Sequence, residues 1–300
     1  MTIKAKFAKT IRLFLMDADP DGRVVCELSN WTGKAYRIPR GSVKDCSDRE
    51  DLKGTAVYFL FGKPETSVSR PKVYIGEAED VYKRLVQHIA EKEFWNESVV
   101  FISKDENLNK AHIKYLESRL FENAVSSNRY EILNGNTPTK SSISESDQAE
   151  MEEFIEYVEM LINVLGFKVF EPLLGIPDSL GNLNAHNLYV KAARGANALG
   201  RRVNDGFVVL KGSEIATDIV ASFPNGFKTL RDELLEIKTI QLMNDKLVFV
   251  EDYLFSSPSA AAAVVMGRSA NGLVEWKDAT GKDLKTIEAN EISNQSKLLD

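Results

Sequence analysis

Residues 54–88, GTAVYFLFGKPETSVSRPKVYIGEAEDVYKRLVQH, constrain the fold more than any other stretch. Two short runs, Ala56 to Phe61 and Val73 to Gly76, are rich in β-branched and aromatic residues. A polar, proline-containing segment from Lys63 to Lys72 separates them, so they read as two strands of a hairpin with a long loop. Val81, Leu85 and Ile89 then recur every fourth residue, which predicts a helix. That periodicity puts Arg84 and His88 one turn apart, beside the apolar stripe rather than opposite it. Two strand tyrosines, Tyr58 and Tyr74, thus converge with an Arg and a His on the next helix.

The rest of the chain predicts an α+β protein. In order, a β-hairpin unit occupies residues 1–48, with strands at Ile11–Met16 and Arg23–Leu28 around the turn residues Asp19-Pro20-Asp21-Gly22. A small mixed or antiparallel sheet flanked by helices fills 49–140, adding a strand at 99–102 and a helix from Asn107 to Val125. A connecting helix and linker take 141–180, with Met151, Phe154, Val158, Leu161 and Leu165 as the stripe of an acidic helix. A second α+β domain takes 181–300, including an Ala-rich helix that Ser257 and Pro258 initiate and Gly267 ends. Trp276 and Gly281 mark a terminal hairpin.

On the helix after Asn107, Glu117 falls at the spacing of the buried stripe (Ile113, Leu120, Ala124), while Lys114 and Ser118 point away. A carboxylate on an inward face needs a partner, because an unpaired buried charge costs on the order of several kcal/mol. Either Arg84 or a metal ion can fill that role, and the sequence does not choose. The segment 29–40 mixes Trp31 and Tyr36 with Lys34, Arg37 and Arg40. It reads either as a nucleic-acid-facing strand, with aromatics stacking and cations on phosphates, or as a hairpin filling its own core. The run 189–202 carries Arg201 and Arg202 among small residues.

Composition excludes several classes. A net charge of −6 and a pI near 5.4 leave no global basic footprint, so any grip on nucleic acid has to be a local patch. Cys26 and Cys46, with no CxxC and no nearby His pair, support neither a zinc site nor a disulfide framework. The N-terminal apolar run is short and gives way to Asp17-Ala18-Asp19-Pro20, unlike a signal peptide, and no apolar run nears the ~20 residues of a membrane span. A cytoplasmic protein is expected. The glycines lack the spacing of a phosphate cradle and read as turns.

Ala56-Val57-Tyr58, then Tyr74-Ile75-Gly76, then Arg84 and, on a later helix, Glu117 resemble the signature of the GIY-YIG nucleases. The first triplet departs from the family pattern at Ala56 and Val57 and keeps its tyrosine. This resemblance covers about residues 54–137. The second half, through GFVVLKGS (206–213), FSSPSAAAAVVMGRSANG (255–272) and Trp276-Lys277, resembles DUF4357, a domain found at the C-terminus of GIY-YIG proteins.

The resemblance implies a metal-dependent DNA endonuclease that hydrolyses phosphodiesters with one Mg²⁺ or Mn²⁺ ion. Glu117 would hold the metal and Arg84 the scissile phosphate. Tyr58 and Tyr74 would position or deprotonate the attacking water, His88 would assist, and Asn134 would close the site. Gly76 would admit close backbone approach, and Lys34, Arg37, Arg40, Arg201 and Arg202 are the expected substrate contacts. DNA is the expected partner, with structured RNA as the alternative polymer. The alternative function is a nucleic-acid-binding or regulatory protein that keeps the fold without catalysis. A free tyrosine ionises near pH 10, so a tyrosine base needs a neighbouring cation and implies activity rising into alkaline pH.

Overall fold

The strand Ala56–Gly62 is buried along its whole length, which explains why its sequence is continuously apolar rather than alternating. It needs cover on both faces, and the chain around it supplies both. The computed structural model describes residues 7–66, 68–174 and 187–296. These form two compact units, Met1–Glu65 with Arg70–Glu171, and Thr66–Ser69 with Pro172–Asp300.

In the first unit, strands β1 (Ile11–Leu15), β2 (Val24–Leu28), β3 (Gly33–Pro39), β4 (Ala56–Gly62), β5 (Lys72–Ala78), β6 (Glu97–Ser103) and β7 (Glu131–Ile132) make one sheet ordered β1-β2-β3-β6-β4-β5-β7. Pairing is antiparallel except for β5 with β7. Three helices, α1 (Val81–Glu91), α2 (Lys110–Ser127) and α3 (Glu145–Val164), complete the unit. One core joins Val57, Phe59, Ile75 and Phe101 to Ile113, Leu116 and Leu120 of α2 and to Phe154, Val158 and Leu161 of α3. Another joins Tyr58, Leu60, Tyr36 and Val100 to Val81 and Leu85 of α1 and to Val43, Cys46 and Leu52. Alternation along the strands sends neighbouring residues to opposite cores.

Two expected divisions differ from this arrangement. Residues 1–48 do not stand apart as a β unit, because β3 pairs with β6 from Gly33↔Ser103 to Pro39↔Glu97. A hairpin's local pattern shows its own two strands but not the third that satisfies its outer backbone groups. Nor is the helix at 141–180 a connector: α3 buries Met151, Phe154, Ile155, Val158, Leu161 and Ile162 in the same core as the sheet. Of its acidic residues, Glu152 and Glu159 also face α2, where Glu152 bonds Tyr115 and Arg119, and Glu159 bonds Asn123. The expected boundary at 180–181 lies outside the described residues.

In the second unit, β8 (Leu188–Lys191), β9 (Asn197–Val203), β10 (Gly206–Val209), β11 (Glu214–Ile215), β12 (Ile240–Met243), β13 (Lys246–Phe249) and β14 (Tyr253–Phe255) form a sheet ordered β12-β13-β11-β9-β10-β14, with β8 also on β9. Helices α4 (Asn225–Glu236), α5 (Pro258–Met266), α6 (Gly272–Glu275) and α7 (Leu284–Ser296) accompany it. The Ala-rich α5 is the central helix: Ala260 to Met266 are all buried. Ser257 accepts a hydrogen bond from the Ala260 N–H, and Gly267 closes the helix at φ 63°. The start of α6 lies so close to α5 that a Cβ on Gly272 would sit 2.1 Å from the Pro258 carbonyl carbon. Trp276 is buried beside Phe207 and donates its indole N–H to the Pro258 oxygen at 3.0 Å. The expected terminal hairpin is a short turn, closed by the Lys277↔Asp283 bridge and followed by α7, which the sequence reading did not foresee.

The architecture is therefore α+β, built on two sheets. No helix among the described residues is long and apolar enough to cross a membrane.

Candidate active site

Tyr58 and Gly76 face each other across β4 and β5. The Tyr58 ring lies over Gly76 so closely that a Cβ there would fall 2.5 Å from the phenol oxygen and 2.9 Å from the Tyr74 ring. Glycine at 76 is thus required by the tyrosines, and its role is internal packing.

Helix α1 arrives on the same face. Asp80 caps it, accepting from the Lys83 N–H at 3.0 Å, and the helix buries Val81, Leu85 and His88. That face delivers His88 Nε2 to 2.7 Å from the Tyr58 hydroxyl. Arg84, one turn earlier, donates through Nε to the same hydroxyl at 3.4 Å and through Nη1 to Gln87 Oε1 at 3.0 Å. Tyr74 is only partly buried; its ring centroid is 5.4 Å from that of His88, and Lys92 Nζ sits 4.5 Å above it.

Burial first, then the charges of Arg84 and Lys92, push His88 down to about 4, so the imidazole is neutral at neutral pH. Its Nδ1 is buried without a hydrogen-bond partner among the described residues. Burial and the neighbouring Tyr74 hold the Tyr58 phenol above its usual range, against the opposing pull of Arg84. Tyr58 is therefore a protonated phenol. A base at this position needs the reverse shift.

Glu117 approaches from α2, whose first turn Asn109 caps by accepting from the Ala111 and His112 N–H groups. Burial, and secondly the charge of Glu77, push its carboxyl up to about 7, while Lys110, Lys114 and Arg84 pull the other way. Among the described residues Glu117 has no hydrogen-bond or ion-pair partner, so Arg84 influences it through space without a direct bridge. Lys110 lies two turns earlier on the same helix face. It binds Glu77 at 2.8 Å and Glu79 at 3.4 Å.

Tyr58, Tyr74, Arg84, His88 and Gly76 thus form one cluster, with Glu117 in its electrostatic reach. Asn134 binds the backbone of Ile75, between Tyr74 and Gly76: its amide accepts from the Ile75 N–H at 3.0 Å and donates to the Ile75 carbonyl at 2.7 Å, extending the sheet beyond β7. The expected substrate cations are committed within the protein. Lys34 binds Asp51 at 2.8 Å; Arg37 binds Glu97 at 3.5 Å and the Pro20 carbonyl. Arg40 donates to the Lys92 and Ile89 carbonyls at the end of α1, at 2.6 and 2.9 Å. Trp31 packs on Phe154 and Tyr157, and Tyr36 is fully buried with its hydroxyl on Asp51. The aromatics of 29–40 thus pack within the first unit, Trp31 against α3, and its cations are bound within the protein rather than solvated. In the second unit, Arg201 donates to Asn187 Oδ1 at 2.8 Å and Arg202 pairs with Glu288 at 3.2 Å.

Glu77 and Lys110 were missed. Glu77 sits at the end of β5, with its side chain on the face that α2 covers. The signal available in sequence was the seven-residue spacing from Lys110 to Glu117 on one helix. Among the described residues no group of three or more His, Cys, Asp or Glu is placed to hold a metal ion.

Residues 188–288, roughly a third of the chain, match the family model of DUF4357, a domain of unknown function. No curated protein and no solved structure matches the chain.

Proposed function

We propose that the first unit is a GIY-YIG-type endonuclease that hydrolyses DNA phosphodiesters with one Mg²⁺ or Mn²⁺ ion, and that the DUF4357 domain assists substrate recognition. The observation that carries this reading is the Arg84–Tyr58–His88 hydrogen-bonded chain within electrostatic range of a carboxylate, Glu117, that has no side-chain partner among the described residues. A half-buried carboxylate raised by a second one nearby fits a divalent cation, which relieves both burial and repulsion. Bound at Glu117, such an ion supplies Lewis-acid polarisation of the phosphoryl oxygen and a more acidic water.

The chain's own residues divide the remaining work. Arg84, held by Tyr58 and Gln87, presents its guanidinium to the scissile phosphate and stabilises charge that grows there. Tyr58 stays protonated and, with neutral His88, fixes the ring that Arg84 leans on. Tyr74, the more exposed tyrosine, orients the attacking water in this reading. This assignment gives the two tyrosines, expected to share one role, different roles.

A second reading, a nucleic-acid-binding or regulatory protein that keeps the fold without catalysis, draws on the raised phenol of Tyr58, which is unsuited to act as a base. Plasmid DNA and structured RNA incubated with Mg²⁺ or Mn²⁺ separate the two. Wild type is expected to nick DNA, and Glu117→Gln and Arg84→Ala to lose at least about 10²-fold in rate. Cleavage that survives both substitutions removes the mechanism. Salt-sensitive binding with no cleavage of any substrate establishes the second reading.

A further inference from the structure

The first unit's sheet ends on one side in β1, whose outer edge has no strand partner among the described residues. Natural edges are usually short, charged or interrupted by proline. The strand β1 has the sequence IRLFL, and Leu13, Phe14 and Leu15 are 53%, 62% and 38% exposed. At the opposite end, β7 has only two residues.

The hydrogen-bond phase of the edge can be read directly. Met16 N–H donates to Arg23 and the Thr10 carbonyl accepts from Ser29, so even-numbered residues direct their backbone groups toward β2. The backbone groups of Ile11, Leu13 and Leu15 therefore point outward. We propose that β1 pairs antiparallel with β1 of a second copy of this chain, about a two-fold axis at Leu13, joining the two sheets.

In that register the outward groups of Ile11, Leu13 and Leu15 find partners, the Leu15 carbonyl while also accepting from the Ala18 N–H of its own chain. Leu13 meets Leu13 of the second copy, and Ile11 meets Leu15, all as hydrogen-bonded pairs with apolar side chains together on one face. On the other face Arg12 meets Phe14, a cation over an aromatic ring. A parallel, in-register pairing would instead set Arg12 beside Arg12, so charge selects the antiparallel arrangement. An isologous contact of this kind closes at a dimer rather than propagating.

Sedimentation of the full-length protein tests this, over protomer concentrations from about 5 µM to 1 mM because a small interface binds weakly. A monomer–dimer equilibrium is expected. Leu13→Lys, at an exposed position, should weaken it at least about tenfold with an unchanged thermal midpoint. As a register test, Leu13→Cys is made with Cys26→Ala, because Cys26 lies opposite Leu13 on β2. Mild oxidation should then cross-link two copies, whereas Phe14→Cys, whose counterpart in the register is Arg12, should cross-link poorly. A monomer throughout the range overturns the proposal. So does a dimer indifferent to Leu13→Lys, or cross-linking that favours Phe14. Binding of an unrelated extended apolar peptide by a protein that stays monomeric would also overturn it and assign the edge to another partner.

Discussion

The Tyr58 hydroxyl and His88 Nε2 are 2.7 Å apart, and both side chains are shielded from solvent. A neutral imidazole and a neutral phenol in that setting are mutually dependent. The bond satisfies one nitrogen of a ring whose other nitrogen has no partner among the described residues. Removing the hydroxyl leaves the ring with none. Tyr58→Phe is accordingly expected to cost about 1–3 kcal/mol in urea unfolding. Tyr74→Phe, at a partly exposed position, should change stability by less than about 0.5 kcal/mol while reducing cleavage. Equal stability losses in the two variants would contradict the division of roles between the tyrosines.

His88 also sets an acid limit. Its folded value, pushed down to about 4, lies below the unfolded value of 6.5, so the unfolded chain binds the proton first. The stability it contributes is present above pH 6.5 and is lost as pH falls toward 4. The difference in thermal midpoint between wild type and His88→Gln should be constant from pH 7 to 8 and shrink between pH 6.5 and 4. A difference that stays constant down to pH 4 would show that His88 is not the buried neutral group described.

Glu117 works in the opposite sense. Its carboxyl is raised from 4.5 to about 7, so the folded state holds a proton that the unfolded state releases. The contribution of Glu117 to stability should therefore decline as pH rises from 4.5 through 7, opposing the gain from His88 over nearly the same range. Glu117→Gln should remove that decline, raising the thermal midpoint at pH 8.5 with little change at pH 4.5. Added Mn²⁺ should restore midpoint to wild type at pH 8.5 and leave the glutamine variant unmoved. A wild-type midpoint that ignores Mn²⁺ would separate the buried carboxylate from any metal role.

Gly76→Ala tests the close packing under the tyrosines. A Cβ at 2.5 Å from the Tyr58 phenol forces the ring away from His88 and Arg84 together. The expected cost is about 1–3 kcal/mol by denaturant titration, accompanied by loss of cleavage. A variant with wild-type stability and activity would mean that the tyrosine can relax without consequence.

Trp276 anchors the second unit in the same way. Trp276→Ala removes the ring against Phe207 and the bond to the Pro258 carbonyl. It should destabilise that unit by about 3–5 kcal/mol, seen as an earlier second transition in calorimetry. A single unchanged thermogram would refute that anchoring role.

Local pattern made much of this protein legible. The helix carrying Arg84 and His88 followed from Val81, Leu85 and Ile89, and the limits of α5 from Ser257, Pro258 and Gly267. The inward set of Glu117 followed from Ile113 and Leu120, although Ser118, expected outside, is buried with its hydroxyl facing the Pro138 carbonyl. What stayed hidden was long-range pairing. Nothing near Gly33–Pro39 announces that β6 is its neighbour, and the basic residues of that strand looked like phosphate contacts because their acceptors, Asp51, Glu97 and the end of α1, come from distant segments.

The sequence by itself determined the α+β class, the Tyr58–Tyr74 hairpin, the helix that follows and the residues 188–288 that match DUF4357. Periodicity and capping are local, and a chain writes them within a few residues of where they act. Only the tertiary structure decided that the first unit is one sheet, that Asn134 completes its edge, and that Tyr58 is a buried, protonated partner of His88. Burial and charge at a side chain depend on every element packed around it. The same tyrosine reads as a base in sequence and as a fixed phenol in the fold because the groups that set its proton lie sixteen to thirty residues away.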